Sequence, residues 1–422
     1  MKALALLLFA TAAVCLHGQS PQAMPATSPP VTPLSTLLEE AQQNNPEIRA
    51  MVSSYHAADQ GSKAAGALPD TQVMVQHLSV GSPKPFAGYT NSDFAYIGLG
   101  VSQEFPWPGK RGLRREAAGL QAQATHAQSD AVTRTVLEQL KVAYFKLSYL
   151  EQTLTILLRD DKLLSDMEQI AESRYRVGKG NQQEVLKAQL QHTRILQEIN
   201  VHHREQSEQQ AQLKMLLGRS QESPDVMTAP LRERALPTDL PELLQQVGDK
   251  NPEVATRKAL AERANKMIEL SRKEFRPDFG VQYMYQNTDR RFRDYYMATF
   301  TVTLPNRSRR HAELAQALEE QKAASAALDA EKQRRMAEVQ EQYQTARLSG
   351  AQLKIYREGL MPQAEATFRS AMAAYQANRE DFETLLSSFR DVLDFEEQYQ
   401  KELSEHESAL ARLESLTGVT LP

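Results

Sequence analysis

The sequence is duplicated at a distance of about 200 residues. Four short segments recur in the same order, and each pairs with a second copy: Leu37-Leu38 with Leu243-Leu244, Asn45-Pro46-Glu47 with Asn251-Pro252-Glu253, Pro69-Asp70 with Pro277-Asp278, and Leu216-Leu217-Gly218 with Leu416-Thr417-Gly418. Because the matches keep one order, a complete structural unit occurs twice. This period is too long for a solenoid. It favours a protomer with two similar halves, which suits a closed ring.

The composition excludes two classes of protein. A net charge of −4 over 422 residues offers no basic excess that would attract nucleic acid, so we expect no nucleic-acid partner. The mean hydropathy of −0.52 is too polar for a bundle of membrane-spanning helices. No internal stretch approaches the roughly 20 apolar residues that such a helix needs.

The N-terminus has the pattern of an export signal. Lys2 precedes an apolar run that reaches Ala10, and small residues follow as far as Val14. We interpret residues 1–18 as a signal peptide, because the apolar run is too short for a membrane span. Cys15 is the only cysteine, so the mature body forms no internal disulfide. Lipidation of Cys15 stays open, since Val14 fits a lipoprotein cleavage box poorly. Residues 19–35 are rich in proline and predict an extended tether.

Both halves predict one order of elements. Repeat 1 covers residues 36–218, repeat 2 covers 240–418, the segment 219–239 links them, and 419–422 form a tail. An Asn-Pro pair separates two short helices at the start of each repeat, since proline suits the first turn of a helix. The remaining predicted elements are hairpins at about 70–105 and 277–305, long helices at about 112–177 and 310–377, and returning helices at 181–217 and 381–417. Pro362 predicts one kink.

The hairpins show period-two alternation. In repeat 2, Phe279, Val281 and Tyr283 alternate with Gln282 and Met284, which predicts strands of about ten to twelve residues. Such strands could belong to a soluble sheet or cross a membrane, where about 9–11 residues suffice. Four strands flanked by long polar helices have no soluble core to cover. We therefore favour membrane strands.

The long helices predict a tube. A proline-free helix from about residue 112 to 177 would be roughly 100 Å long, and tight turns near residues 178–181 and 378–381 reverse the chain. The two shorter helices of each repeat, placed end to end, match the long helix in length. Each repeat thus supplies two parallel rods and one hairpin.

These features together resemble the TolC-like outer membrane efflux protein family over nearly the whole mature length. The segment from Gln103 to Gly112, which reads QEFPWPGKRG, is similar to the strand-to-helix junction of members that serve metal-ion efflux pumps. Tyr175-Arg176-Val177-Gly178 matches the family's helix-turn pattern. Prolines also mark the hairpin ends, at Pro69, Pro106, Pro277 and Pro305.

The resemblance implies a mainly α fold with transmembrane β-structure: a long α-helical barrel plus a 12-stranded β-barrel, completed by a homotrimer with four strands per chain. It places the protein in the outer membrane of a Gram-negative-type bacterium, in contact with outer membrane lipid and extending into the periplasm. The implied partners are a periplasmic adaptor (membrane fusion) protein and an inner-membrane transporter of the RND type. Strand arithmetic alone only disfavours a dimer, whose eight strands leave no open lumen.

The implied function is a passive duct that carries substrates, either metal cations or drugs and other small molecules, out of the cell. The alternative is a soluble periplasmic coiled-coil adaptor subunit of such a pump. We expect no enzyme and no cofactor, because the sequence has no nucleophile elbow, phosphate loop or HExxH. We expect no metal site either. His192 and His203 share a helical face but lie roughly 16 Å apart.

Two sets of residues are candidates for function. The resemblance implies adaptor docking at the exposed helix tips, namely Gly178, Lys179, Gly180, Asn181, Asn378, Arg379, Glu380 and Asp381. Acidic residues near the tips could form a cation-selective periplasmic aperture, or could simply be cap and surface carboxylates. These aperture candidates are Glu184, Asp381 and Glu383, with Thr384 opposite Glu184 in the repeat. If the acids converge, we expect Arg174, Arg176 or Lys179 to offset their repulsion.

Overall fold

The computed structural model describes residues 31–89, 92, 95–236, 239–287 and 294–418. The predicted signal peptide, Cys15, most of the tether and the C-terminal tail lie outside these residues. The helices are α1 (Leu34–Asn44), α2 (Pro46–Ala65), α3 (Lys110–Arg176), α4 (Gln182–Leu217), α5 (Leu240–Lys250), α6 (Pro252–Lys273), α7 (Arg307–Ile355), a π-helical turn (Tyr356–Leu360), α8 (Met361–Gln376) and α9 (Phe382–Thr417). No helix of this described part is both long and apolar enough to cross a membrane.

Four antiparallel strands form one sheet in the order β1 (Gln72–Leu78), β2 (Tyr96–Phe105), β3 (Asp278–Asn287) and β4 (Tyr295–Thr303). The β2–β3 pairing joins the two repeats, with Val101 opposite Tyr283. The strands have 7, 10, 10 and 9 residues. β1, and β4 by one residue, are thus shorter than the predicted ten to twelve residues. β1 ends shortly before a turn at Gly81, which has a φ of +80°.

One face of the sheet is apolar and exposed. Val73, Val101 and Tyr283 lie in one row across the strands, and the predicted alternation places polar residues on the other face. The exposed apolar side chains of this face are Val73, Val75, Leu99, Val101, Phe105, Val281, Tyr283, Tyr296, Phe300 and Val302. A hydrophobic surface of this extent calls for a covering environment other than water.

The core of the molecule lies between the helices. One cluster near the α3–α4 and α8–α9 turns includes Leu164, Ile195 and Phe389. Two equivalent clusters lie under the short first helix of each repeat, around Leu37 in repeat 1 and Leu243 in repeat 2. Burial along these seams, rather than the weak amphipathicity of such long helices, stabilises the rods.

The π-helical turn inserts one residue into repeat 2. Tyr144 and Tyr343 occupy equivalent places in the paired clusters and lie 199 residues apart, whereas Tyr175 and Tyr375 lie 200 apart. The extra residue therefore falls between them, where residues 356–360 form the π-helix. Pro362 follows directly, at the start of α8. A π-helical turn and a proline are both common causes of a kink in a long helix, and the two lie together where Pro362 predicts one.

The duplicated Asn-Pro-Glu segments fasten the ends of two helices. The Asn45 side chain accepts hydrogen bonds from the backbone N–H groups of Glu47 and Ile48 (2.8 and 3.1 Å), and its amide donates to the carbonyl of Leu216 (2.8 Å). Asn251 does the same in repeat 2 and donates to the carbonyl of Leu416 (3.0 Å). Each buried asparagine thus caps one helix and satisfies the C-terminal end of another.

A buried lysine joins the sheet to the helices. Lys110, which begins α3, is 1% exposed, and its Nζ lies 2.9 Å from Asp278 and 3.1 Å from Glu274. Asp278 also accepts the backbone N–H of Trp107 (2.7 Å). Gly109 precedes the lysine with a φ of +91°, a conformation that favours glycine. The junction motif therefore ties β2 and α3 of repeat 1 to the start of β3 in repeat 2.

The two repeats differ in which helix faces are covered. Within the chain, α9 packs against α3, and Leu386 of α9 is 1% exposed. Its equivalent on α4, Leu186, is 55% exposed. On the long helices, Ile156 packs against the core, whereas the equivalent Ile355 is 52% exposed. The helix α4 is equivalent to α9, and α7 is equivalent to α3. The faces of α4 and α7 that are equivalent to the faces in contact between α9 and α3 are therefore exposed in the single chain.

We expect Asn45→Ala and Asn251→Ala each to lower the stability by about 1–3 kcal/mol, since each leaves a buried carbonyl and two helix N–H groups without their partner. Thermal unfolding followed by circular dichroism in detergent measures the effect. Asn44→Ala is the matched control because Asn44 is exposed, and we expect it to change the stability by less than about 0.5 kcal/mol. Equal melting temperatures for Asn44→Ala and Asn45→Ala would contradict this role.

Candidate functional site

Two turns close the helical region at the ends of α3 and α8, which are the ends farthest in sequence from the preceding strands. The first tip turn (residues 177–181) joins α3 to α4, and the second tip turn (residues 377–381) joins α8 to α9. Gly178 and Asn378 occupy equivalent left-handed positions, with φ of +72° and +61°. Asparagine is among the few residues that adopt this conformation readily, so both sequences close the same turn.

Each tip turn ends in a capped helix. Asn181 accepts the backbone N–H of Glu184 (3.0 Å), and Asp381 accepts that of Thr384 (2.8 Å). This backbone hydrogen bond to the carboxylate, together with the Thr384 side chain, lowers the pKa of Asp381 below its usual value. Of the eight predicted docking residues, seven are exposed and Gly180 is half-buried. The predicted docking residues thus form one accessible end.

Arg174 connects the two tip turns. Its guanidinium donates hydrogen bonds to the carbonyl of Tyr375 and to the side-chain oxygen of Asn378. It also lies 4.2 Å from the centre of the Tyr375 ring, within the range of a cation–π contact. Arg176 instead contacts Ser173 of its own helix (3.4 Å). Of these two arginines, Arg174 is the one that bridges the repeats.

The buried Tyr375 forms a hydrogen bond with one of the aperture candidates, Glu184. The ring is 1% exposed, and its hydroxyl donates a hydrogen bond of 2.8 Å to Glu184. Burial, and then the neighbouring Glu184 carboxylate, raise the pKa of Tyr375 above its usual value. The equivalent Tyr175 is 49% exposed. Tyr375 therefore marks an asymmetry between the repeats that their sequence match conceals.

The remaining aperture candidates have separate surroundings. Glu383 is exposed and pairs with Lys187 of α4, whereas Thr384 and Asp381 form the cap described above. Lys187 is not among the predicted donors Arg174, Arg176 and Lys179, which lie before or within the first tip turn, whereas Lys187 follows it on α4. Lys187 and Glu383 lie 196 residues apart in the chain, and their pairing depends on how α4 and α9 meet near the tips, which no local sequence pattern gives.

The histidines do not assemble a metal centre in the described ranges, where no three His, Cys, Asp or Glu side chains form a group that could hold an ion. His192 lies between two carboxylates of α3, 3.0 Å from Asp161 and 3.3 Å from Glu168. These contacts join α4 to α3.

Comparison with known proteins identifies the family. The profile of the outer membrane efflux protein family matches residues 37–219 and 243–419. The chain belongs to this family. The family profile thus matches the chain twice, and it leaves residues 220–242 between the two segments unmatched. No curated protein sequence matches at a significant level.

Solved structures have the same fold. The outer-membrane channel OprN superposes with a TM-score of 0.79 at 17% identity, over 92% of this chain and 91% of OprN. CusC gives a TM-score of 0.79 at 18% identity, over 91% of each chain. The outer membrane protein VceC of Vibrio cholerae gives 0.77 at 18% identity, over 91% of this chain and 96% of VceC.

Membership of the family decides between the two functions expected from the sequence. The family comprises outer membrane efflux proteins, so the chain is a channel component of an efflux system, and the adaptor alternative is not favoured. The predicted fold class is confirmed, with long helices and a four-stranded antiparallel sheet in each chain. The family is one of transport proteins rather than of enzymes.

We expect Arg174→Gln to loosen the second tip turn, because the substitution removes the cation–π contact and the two hydrogen bonds across the repeats. Hydrogen exchange measured by mass spectrometry should become faster in peptides that cover residues 376–381. Arg176→Gln, which changes the same charge on the same helix, should leave that exchange rate unchanged. Identical exchange in both variants would show that Arg174 does not hold the turns together.

Proposed function

We propose that the protein is the outer membrane channel of a tripartite efflux system, a homotrimer that forms a passive duct. Three chains would close a 12-stranded β-barrel in the outer membrane and continue it as a helical barrel in the periplasm. The observation that carries this proposal is the pattern of open surfaces. Among the described residues, the sheet has two unpaired edges and one exposed apolar face. The helices α4 and α7 leave exposed the faces that are equivalent to those through which α9 and α3 pack together within the chain.

The open helix faces support a ring of copies. Within the chain, Tyr149 of α3 contacts Glu397 of α9, with 3.4 Å between the hydroxyl and the carboxylate. The equivalent positions, allowing for the residue inserted by the π-helical turn, are Leu348 and Gln197. Both are exposed. If the α9–α3 contact recurs as an α4–α7 contact with the next copy, Leu348 meets Gln197 of another chain and the ring alternates two similar contacts.

The exposed tips suit docking on other components. We place the adaptor at Gly178–Asn181 and Asn378–Asp381, with an inner-membrane transporter of the RND type behind it. The duct would carry metal cations or drugs and other small molecules. At rest the tips would narrow the duct, with Glu184 and Glu383 among the residues near the aperture and Arg174 linking neighbouring turns. Cys15 remains a candidate for lipidation.

The ring arrangement predicts a specific cross-link. Leu348→Cys combined with Gln197→Cys, treated with a short bis-maleimide in detergent, should give covalent dimers and trimers on denaturing gels. Each single variant should give neither, because both cysteines are needed to join two chains. A double variant that stays monomeric on the gel, while the native particle has the mass of a trimer, would contradict the α4–α7 contact.

Channel function has its own measurement. The purified trimer should form pores in planar lipid bilayers, and Arg174→Gln should conduct more than Arg176→Gln because it releases the link between the tip turns. A protein that stays in the soluble fraction without detergent, or that forms no pores, would contradict the proposed function itself.

Docking at the tips predicts a contrast at one position. Gly178→Glu places a bulky charge on the exposed first tip turn and should abolish export, measured as loss of resistance in cells that depend on the pump. Gly178→Asn is the matched control, because Asn378 already occupies the equivalent left-handed position. Both variants should reach the outer membrane in normal amounts. Full resistance with Gly178→Glu would count against docking at this turn.

A further inference from the structure

Three methionines lie in one row across the polar face of the sheet. The strand register aligns Met74 with Gly100, Gly100 with Met284, and Met284 with Met297. We call Met74, Met284 and Met297 the methionine row. These are three of the 13 methionines in the chain, at three of the four positions of a single row. The neighbouring rows of the same face contain Gln72, Gln76, Gln282 and Gln286, so the thioethers interrupt an otherwise polar surface.

Gly100 lets two of these side chains meet. A Cβ atom at Gly100 would lie 2.9 Å from Met74 Cγ and 3.5 Å from its Sδ, and 3.3 Å from Met284 Cε. Any larger residue would therefore displace the methionines that lean over the glycine from both sides. Met297 is the direct cross-strand neighbour of Met284, and opposed side chains on neighbouring strands are close enough for contact. The register thus gathers all three side chains.

The sulfur atoms are engaged by polar groups. The Gln282 amide nitrogen lies 3.3 Å from Met74 Sδ, and that of Gln286 lies 3.1 Å from Met284 Sδ. Met284 is 0% exposed, whereas Met74 and Met297 are half-buried. The thioethers consequently face amides on the polar side of the sheet, away from the apolar face. Two of the three are accessible without rearrangement of the strands.

Thioether sulfur has a distinct ligand chemistry. It is a soft and neutral donor that favours Cu(I) and other soft cations over Na⁺, Mg²⁺ or Ca²⁺, which prefer oxygen. A duct for ions also needs contacts that are weak and exchangeable, because tight binding would slow passage. Half-buried thioethers without a neighbouring carboxylate or thiolate in the row meet both conditions.

We propose that the methionine row is a transient binding site for a soft monovalent cation, Cu(I) or Ag(I), on the inner surface of the β-barrel. The inference rests on the proposed channel, in which the polar face of the sheet lines the lumen. Each protomer contributes its three thioethers at one level of the barrel, so the trimer presents a ring of soft ligands. The ring assigns a class of substrate to the channel that neither its family nor its fold specifies.

Silver binding to the purified full-length trimer tests the proposal. In nitrate buffer, equilibrium dialysis with elemental analysis should find about one Ag⁺ bound per protomer through the row. The triple variant Met74→Leu/Met284→Leu/Met297→Leu, which nearly conserves volume, should bind Ag⁺ at least about tenfold more weakly. The control Met51→Leu/Met215→Leu/Met336→Leu removes three methionines from the helices and should bind like the native protein. Equal losses in the two triple variants would overturn the assignment.

Single-channel recording separates this inference from the proposed function. In sodium nitrate both triple variants should conduct like the native channel, and micromolar Ag⁺ should reduce the native current but not that of the methionine-row variant. If the native protein conducts and Ag⁺ affects both alike, the site is wrong while the channel stands. If the native protein forms no pores, the channel proposal fails first. The single variant Met297→Leu, on the edge strand, should weaken both Ag⁺ binding and the reduction of current by Ag⁺. It replaces the triple variant in the test if the triple variant does not assemble.

Discussion

The unpaired edges of the sheet are the constraint on which the rest of the proposed assembly depends. Within the described residues, β1 pairs only with β2 and β4 only with β3. Backbone groups in hydrocarbon must find partners, and a closed barrel is the only sheet without edges. In the proposed trimer, copies of the chain close the sheet, and the same ring would bring α4 of one copy beside α7 of the next. In this assembly, the need to pair the strand edges determines how the helices of neighbouring chains are arranged.

Duplication with divergence follows from this arrangement. A ring of two-repeat chains alternates contacts inside a chain with similar contacts between chains, and the two kinds need not be identical. Tyr375 is buried under Arg174 whereas Tyr175 is exposed, and Leu386 is covered whereas Leu186 is open. The residue inserted at the π-helical turn is a further difference, since only repeat 2 has it. The two copies of one unit therefore have different surroundings within one chain.

Features set by local chemistry were predictable from the sequence, and features set by register were not. The Asn-Pro boundaries, the alternation of the strands and the break near Pro362 each depend on neighbouring residues, and the structure has them. The one-residue insertion, the Lys187–Glu383 pair and the row that joins Met74 to Met297 depend on which residues of distant segments face each other. Lys110 belongs to the junction motif that resembles the family, but the motif alone does not predict its burial. That burial against Asp278 and Glu274 depends on the β2–β3 pairing between the repeats.

The distribution of these contacts indicates which end of the duct can move. Removal of one partner from a buried ion pair leaves an uncompensated charge and costs about 3–5 kcal/mol, so the Lys110 cluster resists any shift between the sheet and the helices. The tips are held by Arg174 and by the exposed Lys187–Glu383 pair, and exposed pairs contribute about 0–1 kcal/mol each. Local opening occurs where stabilising contacts are few and exposed. A partner that binds the tip turns would therefore meet these exposed contacts first, above the buried Tyr375 and Phe382, while the buried Lys110 cluster holds the junction with the sheet.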